Sequence, residues 1–245
     1  MLKSEYEFIY GKLESPKDIE ELSKKYSKEM LFNILARKIV RSTTKDFYII
    51  KNKKSKLFAR WMQGESFLQI ANSINFPPVL TAKFILERMG LPKRQINLCI
   101  NSPEKVQIKR IKKEMEEVVK QDFIYAPWAN KMQLENGRRA EGKIREWLEG
   151  KGIKFLTEKQ CKKNHKKTPD FLLEKEIEIE GKKINWIESK ASFGDEKEIK
   201  KDCRKQLTPY VENFGPGLVV YWYGFIDGIV LDNVAIVSED FLKNH

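Results

Sequence analysis

Along the first 120 positions apolar residues recur at helical spacing, in short bursts separated by polar breaks. Ile19, Leu22 and Tyr26 share one side of a helix predicted over 17–25, and Leu31, Ile34, Leu35 and Ile39 share one side of the next, over 28–41. Tyr26-Ser27 makes the break, with Ser27 as the N-cap. Residues 65–90 repeat the design. Phe67, Ile70, Ala71 and Ile74 mark one helix, Asn75-Phe76-Pro77-Pro78 interrupts it, and Leu80, Phe84, Ile85 and Met89 mark another that ends at Gly90. Both pairs are predicted helix-turn-helix units, and the matching intervals Leu22 to Tyr26 and Ile70 to Ile74 suggest an internal repeat. A charged helix follows from about Glu104 to Gln121, then an aromatic turn, Tyr125-Ala126-Pro127-Trp128.

Beyond residue 121 the pattern changes. Gly137-Arg138-Arg139-Ala140-Glu141 opens a helix carried by Ile144, Trp147 and Leu148, and Gly150-Lys151-Gly152 stops it. Thereafter runs rich in β-branched and aromatic residues predict strands near 154–157, 168–173, 177–180, 184–191, 218–225 and 229–237, with Asp227-Gly228 as a hairpin turn between the last two. One more helix, Asp202 to Asn213, places Gln206 and Tyr210 four residues apart on one face. The pattern therefore divides the chain into an α-helical domain, 1–120, and an α/β domain, 121–245, with a mixed sheet flanked by helices.

Charge sharpens that division. The net charge is +12, and residues 1–120 hold 25 basic against 14 acidic residues while 121–245 hold 22 against 21. An excess confined to the helical half predicts a polyanionic partner, DNA foremost, with RNA left open. In a helix-turn-helix reader the second helix enters the groove, which selects Lys28, Asn33, Arg37, Lys38 and Arg41 in the first unit and Thr81, Lys83, Glu87 and Arg88 in the second. Two-helix hairpins also serve as plain packing units, and lysine-rich surfaces serve solubility. Hydrophobic content of 41% beside 33% charged residues describes a chain with a core. No run approaches the roughly 18 apolar residues of a membrane span, and no signal pattern opens the chain, so an intracellular protein is expected. Cys99, Cys161 and Cys203 form no Cys-x-x-Cys pair, and Cys161 with His165 is too few ligands for structural zinc.

The candidate chemistry lies in two short strings, Thr168-Pro169-Asp170 and Glu188-Ser189-Lys190. On a strand Glu188 and Lys190 project to one face while Ile187 and Ala191 take the other. With Asp170 at the start of a neighbouring strand, two carboxylates converge beside an ammonium. Hard oxygen ligands in that number suit Mg²⁺ or Mn²⁺, and the lysine suits stabilisation of a phosphoryl transition state. Taken singly, Pro-Asp is a common turn and Glu-x-Lys a common exposed strand face.

In the order helix with Glu141, strand with Asp170, strand with Glu188 and Lys190, helix with Gln206 and Tyr210, the chain resembles the restriction-endonuclease-like, or PD-(D/E)xK, nucleases with a RecB or lambda-exonuclease type of site. Within them, Lys167-Thr168-Pro169-Asp170-Phe171, Trp186-Ile187-Glu188-Ser189-Lys190-Ala191-Ser192-Phe193-Gly194-Asp195, Phe214-Gly215-Pro216-Gly217-Leu218 and Tyr221-Trp222-Tyr223-Gly224-Phe225-Ile226 are similar to the family named for its Thr-Pro-Asp motif, which includes the codanin-interacting nuclease of animals and archaeal members. The resemblance implies a PD-(D/E)xK nuclease fold with a metal site, and a protein partner, and it does not settle the substrate; the expectation is a DNA nuclease acting on structured or processed ends or junctions. The resemblance also implies Mg²⁺ or Mn²⁺ held at Asp170, Glu188, Ser189 and Glu141, with Lys190, Gln206 and Tyr210 completing the catalytic set. A non-catalytic DNA-binding adaptor and an RNA-directed nuclease stand as alternatives, and monomer or homodimer is open.

Overall fold

A computed structural model of the chain describes residues 1–161, 167–179 and 181–244. Helices α1 (Lys3–Lys12), α2 (Pro16–Leu22), α3 (Lys28–Asn52), α4 (Lys54–Met62), α5 (Phe67–Ser73), α6 (Pro78–Arg88), α7 (Lys93–Asn101), α8 (Lys109–Gln121) and α9 (Pro127–Gly150) come first. Then follow β1 (Phe155–Thr157), α10 (Glu158–Cys161), β2 (Phe171–Ile179), β3 (Lys182–Lys190), α11 (Glu196–Asp202), a π-helical turn over Cys203–Leu207, α12 (Thr208–Phe214), β4 (Gly217–Tyr221), β5 (Val234–Val237) and α13 (Phe241–Asn244). His165, one of the two soft ligands, and Glu180, at the end of an expected strand, lie outside the described residues.

Packing divides the chain into two units: Met1–Leu35 with Glu135–His245, and Ala36–Leu134. That division differs from the expected boundary at 120/121. The first 35 residues pack with the sheet-bearing half, as when Tyr6 donates to Asp195 at 2.9 Å and stacks on Phe193, and Phe193 N–H donates to Asn33 at 2.7 Å. Charge follows the units more sharply than the halves. Ala36–Leu134 holds 20 basic and 8 acidic residues, and the rest of the chain holds 27 of each, so one unit carries the whole net charge.

The basic unit is built around α6. Val79, Thr81, Ala82, Phe84, Ile85 and Leu86 are all buried, and α4, α5, α7 and α8 pack about the helix. Two buried carboxylates fix the frame. Glu114 accepts from Trp61 Nε1–H at 2.9 Å, Phe67 N–H at 3.0 Å and Arg110 at 2.8 Å, and Asp122 accepts from Val79 N–H at 2.9 Å at the start of α6. These bonds offset the desolvation that burial of a carboxylate costs. Residues 65–90 form the two helices expected there, α5 and α6, within this bundle. Of the residues expected to enter a groove, Thr81 is fully buried, Lys83 and Glu87 are half-buried along one side of α6, and Arg88 is exposed. In the 17–41 region α3 runs to Asn52 instead of ending at Arg41.

The other unit holds a mixed five-stranded sheet in the order β1-β2-β3-β4-β5. β1, β2 and β3 are successively antiparallel, while β3, β4 and β5 are parallel. Two expectations change. The strands predicted at 168–173 and 177–180 are one strand, β2, with a register irregularity between Leu172 and Ile177. Asp227-Gly228 is no hairpin turn, because β4 and β5 run the same way and need a crossover. One face of the sheet packs Ile187, Leu218, Val220 and Trp222 against Ala140, Ile144 and Leu148 of α9. The opposite face packs Trp186, Val219 and Tyr221 with Ile199, Leu207 and Tyr210. No described helix is long and apolar enough to cross a membrane.

Candidate active site

Period-two geometry separates β3 into two rows. Ile187 and Ala191 join the core beneath α9, and Glu188 and Lys190 emerge beneath α11 and α12. Pairing of β2 with β3 sets Phe171 opposite Ile187, so Asp170, just ahead of β2, reaches the same end of the sheet. Asp170 Oδ2 accepts from Ser189 N–H at 2.8 Å, and Asp170 N–H donates to Glu188 Oε2 at 3.2 Å. The backbone thus clamps the two carboxylates side by side.

Lys190 Nζ donates to Glu188 Oε1 at 2.5 Å and to Gln206 Oε1 at 2.6 Å. Gln206 Nε2 donates to Glu188 Oε1 and to Tyr210 Oη, each at 3.2 Å. An ammonium can only donate, which fixes the orientation of the glutamine amide. Gln206 lies in the π-helical turn between α11 and α12, and Pro209 explains that turn: it supplies no N–H to the preceding turn of helix. The Lys205 carbonyl accepts instead from Lys167 Nζ at 2.8 Å, beside the Thr-Pro-Asp string. Tyr210 is held edge-on to Trp186 at 5.3 Å, and the Trp186 indole donates to the Gly215 carbonyl at 2.8 Å. Gly217 allows this, since a Cβ there would lie 2.1 Å from the Trp186 ring.

The electrostatics are those of a crowded acidic pocket. Burial pushes the Asp170 carboxyl well above its ordinary range, Glu188 pushes the same way, the Ser189 N–H opposes, and Glu141 adds to the rise. Glu188 is raised by burial against the pull of Lys190. Burial works to lower Lys190, but Glu188, Asp202 and Asp170 outweigh it and hold the ammonium charged. Tyr210 is raised by burial and then by Glu188, so it stays a neutral phenol.

The structure brings Asp170, Glu188, Ser189, Lys190, Gln206 and Tyr210 together through direct bonds, and Glu141 through its field at Asp170. The Glu141 side chain is exposed on α9, and its carboxyl is raised by desolvation and by Glu158, against Arg145 and Arg138. Two members escaped the sequence. Asp202 is buried, accepts from Tyr221 Oη at 2.9 Å and acts on both Glu188 and Lys190; its one signal is its place one turn before Gln206. Glu158 opens α10 and belongs to no motif. Of the residues expected to meet nucleic acid, Lys28 is paired with Glu20 at 3.0 Å, Arg37, Lys38, Arg41 and Lys83 are half-buried, and Arg88 donates to Ser55 at 3.0 Å.

As a test of the donor set for a divalent cation, Asp170 and Glu188 supply two adjacent carboxylates, each held above its ordinary pKa first by burial, and Glu188 further raises Asp170. A bound cation removes that repulsion. Among the described residues no group of three or more His, Cys, Asp or Glu converges as a metal cage. Two carboxylates with the remainder left to water and phosphate suits Mg²⁺.

Comparison with known proteins adds the following. A family model described as "Protein of unknown function TPD sequence-motif" matches residues 107–241. CDAN1-interacting nuclease 1 of Mus musculus is 36% identical over 167 residues, covering 65% of this chain and 59% of that protein. Its Danio rerio counterpart is 35% identical over 167 residues, covering 65% and 56%. Uncharacterized protein L539 of Acanthamoeba polyphaga mimivirus is 33% identical over 122 residues, covering 47% and 44%. The chain thus spans a little over half the length of the animal relatives, and no solved structure matches it.

Proposed function

Since the chain belongs to the TPD sequence-motif family, we propose that it is a metal-dependent nuclease that hydrolyses phosphodiester bonds in DNA, on a PD-(D/E)xK type of core. The observation that carries this reading is the single cluster made by Asp170, Glu188, Lys190 and Gln206 on adjoining elements. Naming of the animal relatives as nucleases supports it.

Asp170 and Glu188 would hold Mg²⁺ or Mn²⁺, with Glu141 acting through intervening water and the Ser189 main chain lining the same corner. When bound, the cation supplies Lewis-acid polarisation of the phosphoryl oxygen and lowers the pKa of a water. Of the three donors on Lys190, Glu188 and Gln206 engage two, leaving one for the attacking water or a phosphoryl oxygen. Gln206 aims that ammonium, and Tyr210, Trp186 and Gly217 hold Gln206 in place. Asp202 keeps Lys190 charged from behind.

The unit Ala36–Leu134, with its excess of twelve positive charges, would supply the sequence-independent grip on phosphate. By the same likeness to the animal relatives we propose a protein partner for the chain. Incubating the full chain with labelled linear, flapped, branched and single-stranded DNA and with RNA, in Mg²⁺, Mn²⁺ or chelator, tests the reading. Metal-dependent DNA cleavage lost in an Asp170→Ala/Glu188→Ala variant supports it. Cleavage that survives the double substitution removes the site assignment, and preference for RNA redirects the substrate.

A further inference from the structure

The sheet-bearing unit holds an open cavity of about 670 Å³. It sits at the carboxyl ends of the three parallel strands: Ala191, Trp222 and Ser238, the residues directly after β3, β4 and β5, all line it. That is where open sheets with parallel strands take ligands, and the volume falls within the range of small-molecule sites. One wall is a single face of α9, made by Asn136, Arg139, Ala140 and Lys143 at helical spacing. The facing wall is aromatic, with Tyr223 and Phe225 partly exposed over a buried Trp222.

Most charges of the cavity are already used. Lys143 lies 3.5 Å from Glu239 and 5.1 Å above the Trp222 ring, and Asp227 is paired with the Met1 amino group at 2.8 Å. Among the described residues Arg139 has no hydrogen bond or ion pair, and neither has the Tyr223 hydroxyl, although each lines the cavity. Glu29, which is exposed, and Asp240, which has an interaction of its own, also line the cavity. The cavity therefore offers one guanidinium for an anionic group, an aromatic face for a flat ring, and a hydroxyl and a carboxylate for polar edges of that ring.

The cavity is wired to the catalytic cluster. Trp222 Nε1–H donates to Ser189 Oγ at 2.8 Å, and Ser189 N–H holds Asp170 Oδ2 at 2.8 Å. Two hydrogen bonds separate its floor from the carboxylate proposed to bind metal.

We propose that this cavity takes the terminal nucleotide of the strand being cut, with its terminal phosphate at Arg139 and its base against Tyr223 and Phe225. The proposal rests on the nuclease reading and narrows its substrate to strands with a phosphorylated end. Arg139 and Tyr223 are substrate-positioning residues, distinct from the metal and lysine cluster.

The test measures binding of the full chain, in chelator so that nothing is cut, to oligonucleotides with a phosphate or a hydroxyl at either end, to circular single-stranded DNA and to free deoxynucleoside monophosphate. The expected result is tighter binding of one phosphorylated end than of its hydroxyl twin. Arg139→Gln should erase about 10- to 100-fold of that preference, the worth of a charge-assisted hydrogen bond. Binding to the circle should stay unchanged, and Tyr223→Leu should weaken all linear ends alike. Because Arg139 is exposed and makes no ion pair among the described residues, the variant keeps its fold, which a thermal melt verifies. No preference for phosphate at either end, or a preference that survives Arg139→Gln, overturns the proposal. So does monophosphate binding as tight as that of the phosphorylated oligonucleotide, which makes the cavity a free-nucleotide site. Loss of the preference in the variant of a protein that cuts no DNA retains the cavity and removes the nuclease reading. Equal cutting of circles and linear strands by the wild type and Arg139→Gln does the reverse.

Discussion

Replacing Asp170 by Asn is expected to stabilise the metal-free protein while abolishing cleavage. Burial, Glu188 and Glu141 together hold the Asp170 carboxyl well above its ordinary range, and the Ser189 N–H offsets them only in part. Each tenfold weakening of a carboxylic acid is worth about 1.4 kcal/mol at a pH where the group must ionise, so neutralising the side chain should relieve a cost of about that size for every tenfold. Asparagine keeps an oxygen for the Ser189 N–H, now met at 2.8 Å. In a chain of 245 residues, 1 kcal/mol moves Tm by about 2–4 °C, so relief of one such tenfold is a rise of roughly 3–6 °C in chelator near neutral pH. The sign with pH follows from the raised folded pKa. Such a carboxyl lends stability that is fully present below its unfolded pKa of about 3.9 and is lost as pH rises through the folded value. The advantage of the variant should therefore be largest at neutral pH and shrink on acidification towards about pH 4. Mg²⁺ at ten times its Kd should stabilise the wild type by about 1.4 kcal/mol and the variant hardly at all, closing the gap. Melts in chelator and in Mg²⁺ across this pH range supply the data. A variant less stable than wild type in chelator at neutral pH, or an advantage that grows on acidification, would refute the electrostatic account of the pocket.

Gly217→Ala should cost about 1–3 kcal/mol, because its Cβ would lie 2.1 Å from the Trp186 ring, and should lower activity through Tyr210 and Gln206; unchanged melting would refute that packing. Thr168→Val should be neutral or stabilising in a denaturant titration, since Thr168 Oγ1 is buried without a partner and an unmade bond costs about 1–3 kcal/mol; a marked loss of stability contradicts this. Lys190→Ala should remove cleavage and leave DNA affinity near that of the wild type, as gel-based cutting and equilibrium binding will report; retained cutting excludes the lysine from the mechanism. Exchanging Lys53, Lys56, Lys109 and Lys113 for Gln should flatten the slope of log affinity against log salt by about 0.9 for each phosphate no longer neutralised, whereas Lys154, Lys159, Lys182 and Lys197 should not matter; the reverse ranking would place the grip on the other unit.

Much of the site was legible because its chemistry is local. Glu188 and Lys190 share a face by strand period alone, and Gln206 and Tyr210 lie one turn apart even across the π-helical turn. Asp202 and Glu158 were not legible. Each gains its role only from a neighbour distant in sequence, Lys190 for Asp202 and Glu141 for Glu158. Asp227-Gly228 misled for a related reason: a turn signal says where a chain bends and nothing of which strand it pairs with next.

Local chemistry in the sequence determined where helices give way to strands, which strand row carries Glu188 and Lys190, and that a basic helical segment precedes an acidic cluster. These follow from side-chain period, turn residues and charge, which act over a few positions. Only tertiary structure decided that residues 1–35 pack with the sheet, that 36–134 carries the entire net charge, that α6 is buried, and that Arg139 faces an aromatic wall built after β4. Those outcomes depend on which apolar faces find one another across long loops, and that choice is made by total burial over the whole chain, which no local pattern encodes.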